Sequence, residues 1–207
     1  MKHQAVIFDC DGVMFDSRQA NTNFYNHLLS HFGLPSMPPE DIEFVHMHTV
    51  VESIKHIFRK SPHTDDALEY RLHLDYTPFI KDMVMEAGLR ELLDFLKPLY
   101  GLAVATNRST TIGKVLELNN LTQYFDIVVS SLDVENPKPH PESAFKILDF
   151  FGIEPDNCFY VGDSEVDYAV CRAAGVPFIA YKSKALEAVL HVESLWELQD
   201  YFREHNT

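Results

Sequence analysis

The stretch Val6-Ile7-Phe8-Asp9-Cys10-Asp11-Gly12-Val13-Met14-Phe15-Asp16-Ser17 decides how the rest of the chain is read. The apolar run Ala5–Phe8 shows no polar alternation, as expected of a parallel strand buried on both faces. Asp9 and Asp11 follow at once, two positions apart, so on extended backbone both carboxylates point to the same side. Gly12 then allows a sharp turn. Two like charges held close together at the end of a buried strand repel each other and are costly to desolvate; they persist where a cation or a proton sits between them. The stretch therefore predicts a Mg²⁺ site with a second, separately tuned carboxylate beside it. A solvated turn with two ordinary aspartates is the plain alternative, but such turns seldom follow so apolar a strand.

With 207 residues the chain has room for one large domain, or for a core carrying a smaller insertion. A formal charge of −14 argues against nucleic acid or an anionic membrane as partner. It also requires that any phosphate ligand meet a local cation, a lysine and oriented amides. Cys10, Cys158 and Cys171 form no CxxC pair, and their odd number speaks against a disulfide framework or a zinc site. The apolar run before Asp9 is too short for a signal peptide, and no later run reaches membrane length. A soluble, cytoplasmic protein is expected, as a monomer or small homo-oligomer.

Five short apolar runs read as buried strands: Ala5–Phe8, Leu102–Ala105, Ile127–Val129, Cys158–Val161 and Phe178–Ala180. Helical patterns separate the later ones, at Arg108–Leu121, Pro141–Phe151 and Glu165–Ala174, with Pro141 suited to a first helical position. Leu195–Phe202 reads as a last helix covering the sheet. This alternation predicts an α/β fold, a doubly wound, Rossmann-like parallel sheet. The connection from Asp9 to Thr106 is far longer than the roughly dozen residues one crossover requires. Phe24, Leu28, Leu29 and Phe32 share a helical face, as do Ile42, Val45, Val50, Ile54, Ile57 and Phe58. Leu68, Leu72, Phe79, Ile80 and Met83 continue the pattern, with Pro78 restarting a helix. Residues 17–82 are thus expected to form an inserted helical bundle, a cap on a core made of residues 1–16 and 83–207.

In open parallel sheets, ligands bind beyond the carboxyl ends of the strands. Those ends carry Asp9 and Asp11, then Thr106-Asn107-Arg108, then Lys138 between Pro137 and Pro139, then Gly162-Asp163-Ser164 with Asp167 one helical turn on. Each signal alone has an ordinary reading: a turn, a solvated charge, a helix cap. Together, and at successive strand ends, they bring carboxylates, a hydroxyl, an amide and an ammonium to one place. That place can hold a divalent cation and a phosphate at once.

These motifs resemble those of the haloacid dehalogenase superfamily, and within it the subfamily with a helical cap after the first strand, which includes phosphoglycolate phosphatases and beta-phosphoglucomutases. Val6–Ser17, Val104–Arg108, Asn136–Ser143 and Tyr160–Gly175 carry the resemblance, most specifically Gly162-Asp163-Ser164-Glu165-Val166-Asp167 with Ala173-Ala174-Gly175. The cap matches least well. The resemblance implies that Asp9 is the nucleophile, forming an aspartyl-phosphate. Asp11 would protonate the leaving group, later activate water, and lend its main-chain carbonyl to the metal. That division of labour needs Asp11 protonated in the first step while Asp9 stays ionised. Asp163 would complete the Mg²⁺ ligands and Asp167 would orient water around the ion. Thr106, Asn107 and Lys138 would bind the phosphate oxygens. The implied activity is Mg²⁺-dependent hydrolysis of a small phosphorylated metabolite, with phosphoglycolate one candidate.

A phosphomutase of the beta-phosphoglucomutase type and a pyrophosphatase use the same core motifs and stay open as alternatives. A non-catalytic phospho-ligand binding protein would be expected to lack a nucleophile, acid or metal ligand, and none is missing. A phospho-receiver domain would place its acceptor aspartate after the third strand, where Val128-Val129-Ser130-Ser131 has none. Other features read as ordinary structure. The pair in His46-Met47-His48 has no cysteine or carboxylate partner in its pattern and reads as structural or solvated, with contact to a substrate or a metal as the alternative. Lys55, Arg59, Lys60 and Arg71 read as solvated helix faces, with one of them reaching over to an anionic substrate as the alternative. Cys10 reads as a core residue, and Ser17 as the cap of the first inserted helix.

Overall fold

A computed structural model describes residues 4–205. Ala5–Phe8 forms β1, with every residue buried. The chain then turns through Gly12 into a short strand β2 (Phe15–Asp16) and five helices. These are α1 (Arg18–His31), α2 (Pro39–Met47), α3 (Val50–Ile57), α4 (Thr64–His73) and α5 (Thr77–Ile80). It returns through β3 (Val84–Met85), antiparallel to β2 with Phe15 opposite Met85 and Asp16 opposite Val84. The exit from the sheet and the way back are thus tied side by side, next to Asp11.

The remainder alternates regularly: α6 (Leu89–Leu96), β4 (Gly101–Ala105), α7 (Ile112–Leu118), β5 (Ile127–Val129), α8 (Glu142–Phe151), β6 (Cys158–Gly162), α9 (Glu165–Ala174), β7 (Phe178–Tyr181), β8 (Leu190–Val192) and α10 (Leu195–His205). The six-stranded sheet has the order β5-β4-β1-β6-β7-β8, and each neighbouring pair is parallel. The chain winds outward from β1 to β5, then crosses to the other side of β1 and winds outward again. The switch point therefore lies between β1 and β6, where crossovers diverge and leave a crevice.

Strand periodicity divides the core between two faces. Val6, Phe8, Leu102, Val104, Val161 and Ile179 point to one side, under Leu92, Leu96, Val115, Leu198 and Phe202. Ala5, Ile7, Ala103, Ala105, Tyr160 and Ala180 point to the other, under Ala144, Ile147, Val170 and Cys171. A third cluster belongs to the inserted helices and joins Phe24, Leu28, Val45, Ile54, Phe58 and Ala67. Cys10 is fully buried in the first cluster, as its sequence context predicts.

Local chemistry sets the helix ends near the site. Thr49 and Glu52 form a reciprocal capping box that opens α3. Ser164 accepts from the Asp167 amide at the start of α9. Gly175, at φ 73°, closes the same helix in a left-handed conformation.

Several expectations need correction. β8 was not foreseen: Leu190-His191-Val192 has a polar centre and is ordered by pairing with β7. The helix expected from Arg108 begins at Ile112, because the Arg108 amide is held by Thr106 Oγ1 at 3.1 Å in a turn. It stops at Leu118, with Asn120 at φ 52°. Pro141 precedes α8 rather than opening it. Leu72 is exposed, and Ile80 and Met83 pack into a sheet-side cluster rather than that of the inserted helices. Ser17 makes no side-chain cap; its hydroxyl donates to the Asp11 carboxylate instead.

Candidate active site

The site is assembled by the carboxyl ends of β1, β4 and β6 and by the loop before α8. Asp9 continues β1, and its amide still donates to Val161 O at 3.0 Å, which fixes the side chain at the switch point. Lys138 crosses from its proline-flanked loop and is almost fully buried. Its ammonium lies 2.8 Å from Asp9 Oδ1 and 2.7 Å from Asp167 Oδ1, and donates to Ala105 O at 3.1 Å. Asp167 is completely buried and held from three sides: Tyr160 OH donates to it at 3.0 Å and Ser164 Oγ at 2.7 Å, besides Lys138.

Asp9, Asp163 and Asp167 each offer an oxygen, and these atoms lie within 4.8 Å of one another. Two glycines make the approach possible. A Cβ on Gly12 would stand 2.0 Å from Asp163 Oδ2, and one on Gly162 would stand 2.5 Å from Asp167 Cβ. An all-oxygen carboxylate set of this kind fits a hard divalent cation and not a soft one. Electrostatics agree with that fit. Burial, and then the neighbouring Asp167 charge, push the Asp9 carboxyl well above the usual range, while Lys138 opposes them. The same two causes raise Asp163 to about 7. Burial works against the Lys138 ammonium, but the charges of Asp167 and Asp9 outweigh it and keep the lysine protonated. One ammonium among these carboxylates leaves an excess of negative charge that a divalent cation would offset.

Asp11 stands apart from that cluster and is governed by Arg108. Arg108 Nε donates to Oδ2 at 2.8 Å and Nη2 to Oδ1 at 2.6 Å. Burial tends to raise the Asp11 carboxyl, but the guanidinium's charge and hydrogen bonds prevail and hold it below the usual carboxylate range. Burial at Asp9 and the Arg108 charge at Asp11 therefore favour protonation of Asp9 over Asp11, the reverse of the order that the expected roles require. Arg108 also reaches Asn21 Oδ1 at 3.4 Å and lies over the Tyr76 ring at 5.4 Å, so it joins Asp11 to the inserted helices.

Thr106 and Asn107 lie where the sequence predicts, at the end of β4. The Asn107 amide donates to Lys138 O at 3.1 Å, and its carbonyl oxygen is buried without a partner among the described residues. All the candidate residues except Asp167 line a cavity of about 390 Å³. Its far wall comes from the inserted helices: Asn21, Phe24 and Tyr25 of α1, Val45 to His48 at the end of α2, Arg71 of α4, and Leu74 to Thr77. Sequence reasoning missed Arg108, although its place directly after Thr106-Asn107 at a strand end was a signal. Arg71 and His46 carry no motif, and the sequence favours solvated or structural roles for them while leaving a substrate contact open.

The chain thus joins a parallel sheet with carboxylates at its switch point to a helical insertion rooted beside them. Residues 6–181 match the haloacid dehalogenase-like hydrolase family, and the chain belongs to that family. It is 31% identical over 225 residues to a phosphoglycolate phosphatase of Chromobacterium violaceum, with 98% of each chain covered. It is 26% identical over 186 residues to the pyrophosphatase PpaX of Bacillus mycoides, covering 87% of this chain and 84% of that one. Among solved structures, a subfamily IA hydrolase of the same superfamily from Geobacter sulfurreducens superimposes with a TM-score of 0.79 at 43% identity. That match covers 96% of this chain and 95% of the other. No helix among the described residues is long and apolar enough to cross a membrane.

Proposed function

We propose that the protein is a Mg²⁺-dependent phosphatase that hydrolyses a small phosphate monoester through an aspartyl-phosphate on Asp9, with phosphoglycolate the first candidate substrate. The observation that carries this is the placement of the Asp9 carboxylate. It lies beside Lys138 and within the Asp163–Asp167 cluster, on the wall of a cavity large enough for a small metabolite. Residues 1–16 and 83–207 serve as the catalytic core, and residues 17–82 as the cap that closes the cavity.

Asp9, Asp163 and the main-chain carbonyl of Asp11 would hold Mg²⁺, with Asp167 orienting water around it. When bound, the ion supplies positive charge that lets an anionic nucleophile approach an anionic phosphate. An Asp9 oxygen attacks phosphorus, and the bond to the ester oxygen breaks. The leaving alkoxide takes a proton from Asp11. In the second half, the Asp11 carboxylate removes a proton from a water molecule that attacks the phosphoryl group and frees Asp9. Lys138 and Thr106 hold the non-bridging oxygens, and Lys138 compensates charge that grows on them. Asp11 can take up its proton only when the Arg108 grip loosens, so Arg108 governs when the acid is ready.

The test is a screen of phosphate monoesters with purified protein, Mg²⁺ and, in parallel, excess chelator. Turnover with Mg²⁺ that the chelator abolishes is the expected result. Asp9→Asn should end turnover and leave no trappable phosphoenzyme. Full activity after complete removal of metal, or in Asp9→Asn, would overturn the proposal.

A further inference from the structure

The inserted helices carry three arginines, and two of them are satisfied internally. Arg18 pairs with Glu43 at 2.5 Å, and Arg59 donates to Asp41 at 3.2 Å. Arg71, on α4, has no such partner. It lines the cavity, and its Nε is shut off from solvent with no hydrogen-bond acceptor among the described residues. Burial pushes its pKa down, and among the described residues Tyr25 is the ionisable group that acts against this. Asp75, on the same wall, is occupied by the Thr77 amide at 2.9 Å. A buried donor of a charged group left without an acceptor costs stability, about 1–3 kcal/mol or more. Such a cost is tolerated where a ligand brings the missing acceptor.

A second lining residue also has an unpartnered buried nitrogen among the described residues. His46, at the end of α2, lines the cavity, and its Nδ1 is buried without a partner. Its neighbour His48 differs, being stacked on Phe44 and bonded through Nδ1 to Phe44 O at 2.9 Å. The cavity is also lined by Phe24, Tyr25, Val45, Val50, Leu74 and Tyr76, side chains that are apolar or carry an apolar ring. The core end is already furnished for one anion by Lys138 and Thr106.

We infer that Arg71, assisted by His46, is a specificity-determining residue that receives a second anionic group of the substrate, a carboxylate or a second phosphate, on the wall that the inserted helices give the cavity. This inference rests on the phosphatase reading and narrows it to short substrates with an anion at each end. A guanidinium suits the task because its parallel N–H donors match both oxygens of a carboxylate or phosphate. Neutral-tailed esters would leave the Nε donor unpaired.

The test compares the full-length protein with its Arg71→Met and Arg71→Lys variants in Mg²⁺. Three compounds serve as substrates: phosphoglycolate, pyrophosphate, and neutral-tailed 2-hydroxyethyl phosphate. The wild type should prefer at least one of the two-ended anions over the neutral ester in kcat/KM. Arg71→Met should lose about ten- to a hundredfold of that preference, mainly through KM, and Arg71→Lys should recover part of it. Which anion is preferred tells a carboxylate from a phosphate. Calorimetry with phosphonoacetate and with ethylphosphonate, neither of which can be hydrolysed as an ester, reads the same site without turnover. Phosphonoacetate should bind Arg71→Met about tenfold or more weakly than wild type, with a smaller change for ethylphosphonate. Absence of ester hydrolysis would sink the phosphatase reading while calorimetry still decides the anion site. Equal loss for both phosphonates, or undiminished preference in Arg71→Met, would overturn the inference.

Discussion

Arg108 grips Asp11 with two nitrogens although the residues stand 97 positions apart in the chain, and the side chains are only 7% and 14% exposed. Among the described residues, nothing else reaches the carboxylate with comparable geometry except the Ser17 hydroxyl. The pair links the end of β1 to the end of β4. Through Asn21 and Tyr76 it also links both to the inserted helices. A contact that joins the proposed acid–base residue to the inserted helices can report whether those helices are seated.

A double-mutant cycle measures that pair. Arg108→Met leaves a buried carboxylate without its cation and should destabilise the fold by about 3–5 kcal/mol. Asp11→Asn should cost less, because the amide keeps part of the hydrogen bonding. The double variant should recover a coupling energy on the order of 1–3 kcal/mol. Urea unfolding of all four proteins is the measurement, and strictly additive losses would deny the coupling.

Lys138 balances Asp9 and Asp167 at once, so its removal strips two buried carboxylates of one ammonium. Lys138→Met should lower the unfolding free energy in chelator by about 3–5 kcal/mol. Added Mg²⁺ should then raise the melting temperature of the variant by more than it raises that of the wild type, since a cation at the carboxylates takes over part of the balance. A variant as stable as wild type in chelator would show that the ammonium contributes little there.

Most of the sheet and most of this site are legible in the sequence, and for one reason. Buried parallel strands read as unbroken apolar runs, and ligands gather where such runs end. Asp9, Thr106, Lys138 and Asp163 could each be placed without coordinates. β8 could not, because its central His191 is exposed and β7 is the one strand it pairs with among the described residues. The partner of Arg108 was hidden for another reason. Thr106-Asn107-Arg108 shows that an arginine sits at a strand end, but no local pattern says which carboxylate it meets. Arg59 and Arg71 look alike on the sequence, as charges on helical segments. The fold gives one of them Asp41 and leaves the other facing a cavity.

Gly12 is a position where the backbone itself is a requirement. Its φ of 85° is left-handed, and a Cβ there would collide with Asp163 at 2.0 Å. Gly12→Ala should cost about 1–2 kcal/mol from conformation alone. It should also displace Asp163 from the carboxylate cluster. The concentration of Mg²⁺ needed for half-maximal activity should rise roughly 10- to 100-fold, the scale seen when a ligand's support is disturbed. A variant with unaltered Mg²⁺ dependence would place Asp163 outside the metal site.

Acid sensitivity of the cap can be traced to Asp41. It is only 5% exposed, with His56 Nε2 at 2.8 Å and Arg59 Nη1 at 3.2 Å from its oxygens. Burial tends to raise its carboxyl, but the hydrogen bonds and charges of Arg59 and His56 prevail and hold it below the ordinary value of 3.8. The folded state therefore binds a proton here less readily than the unfolded chain does. Stability contributed by this carboxylate is fully present above 3.8 and is lost as pH falls through the lowered folded value. Asp41→Asn should be less stable than wild type near neutral pH by about 1.5–3 kcal/mol, the worth of hydrogen bonds to a charged group. On acidification the wild type should lose that advantage while the variant changes less, so their unfolding free energies converge below the usual carboxylate range. Chemical denaturation across that pH span decides the matter. A gap that stays constant into acid would mean that the Asp41 charge is not what holds α2 against α3 and the turn that follows it.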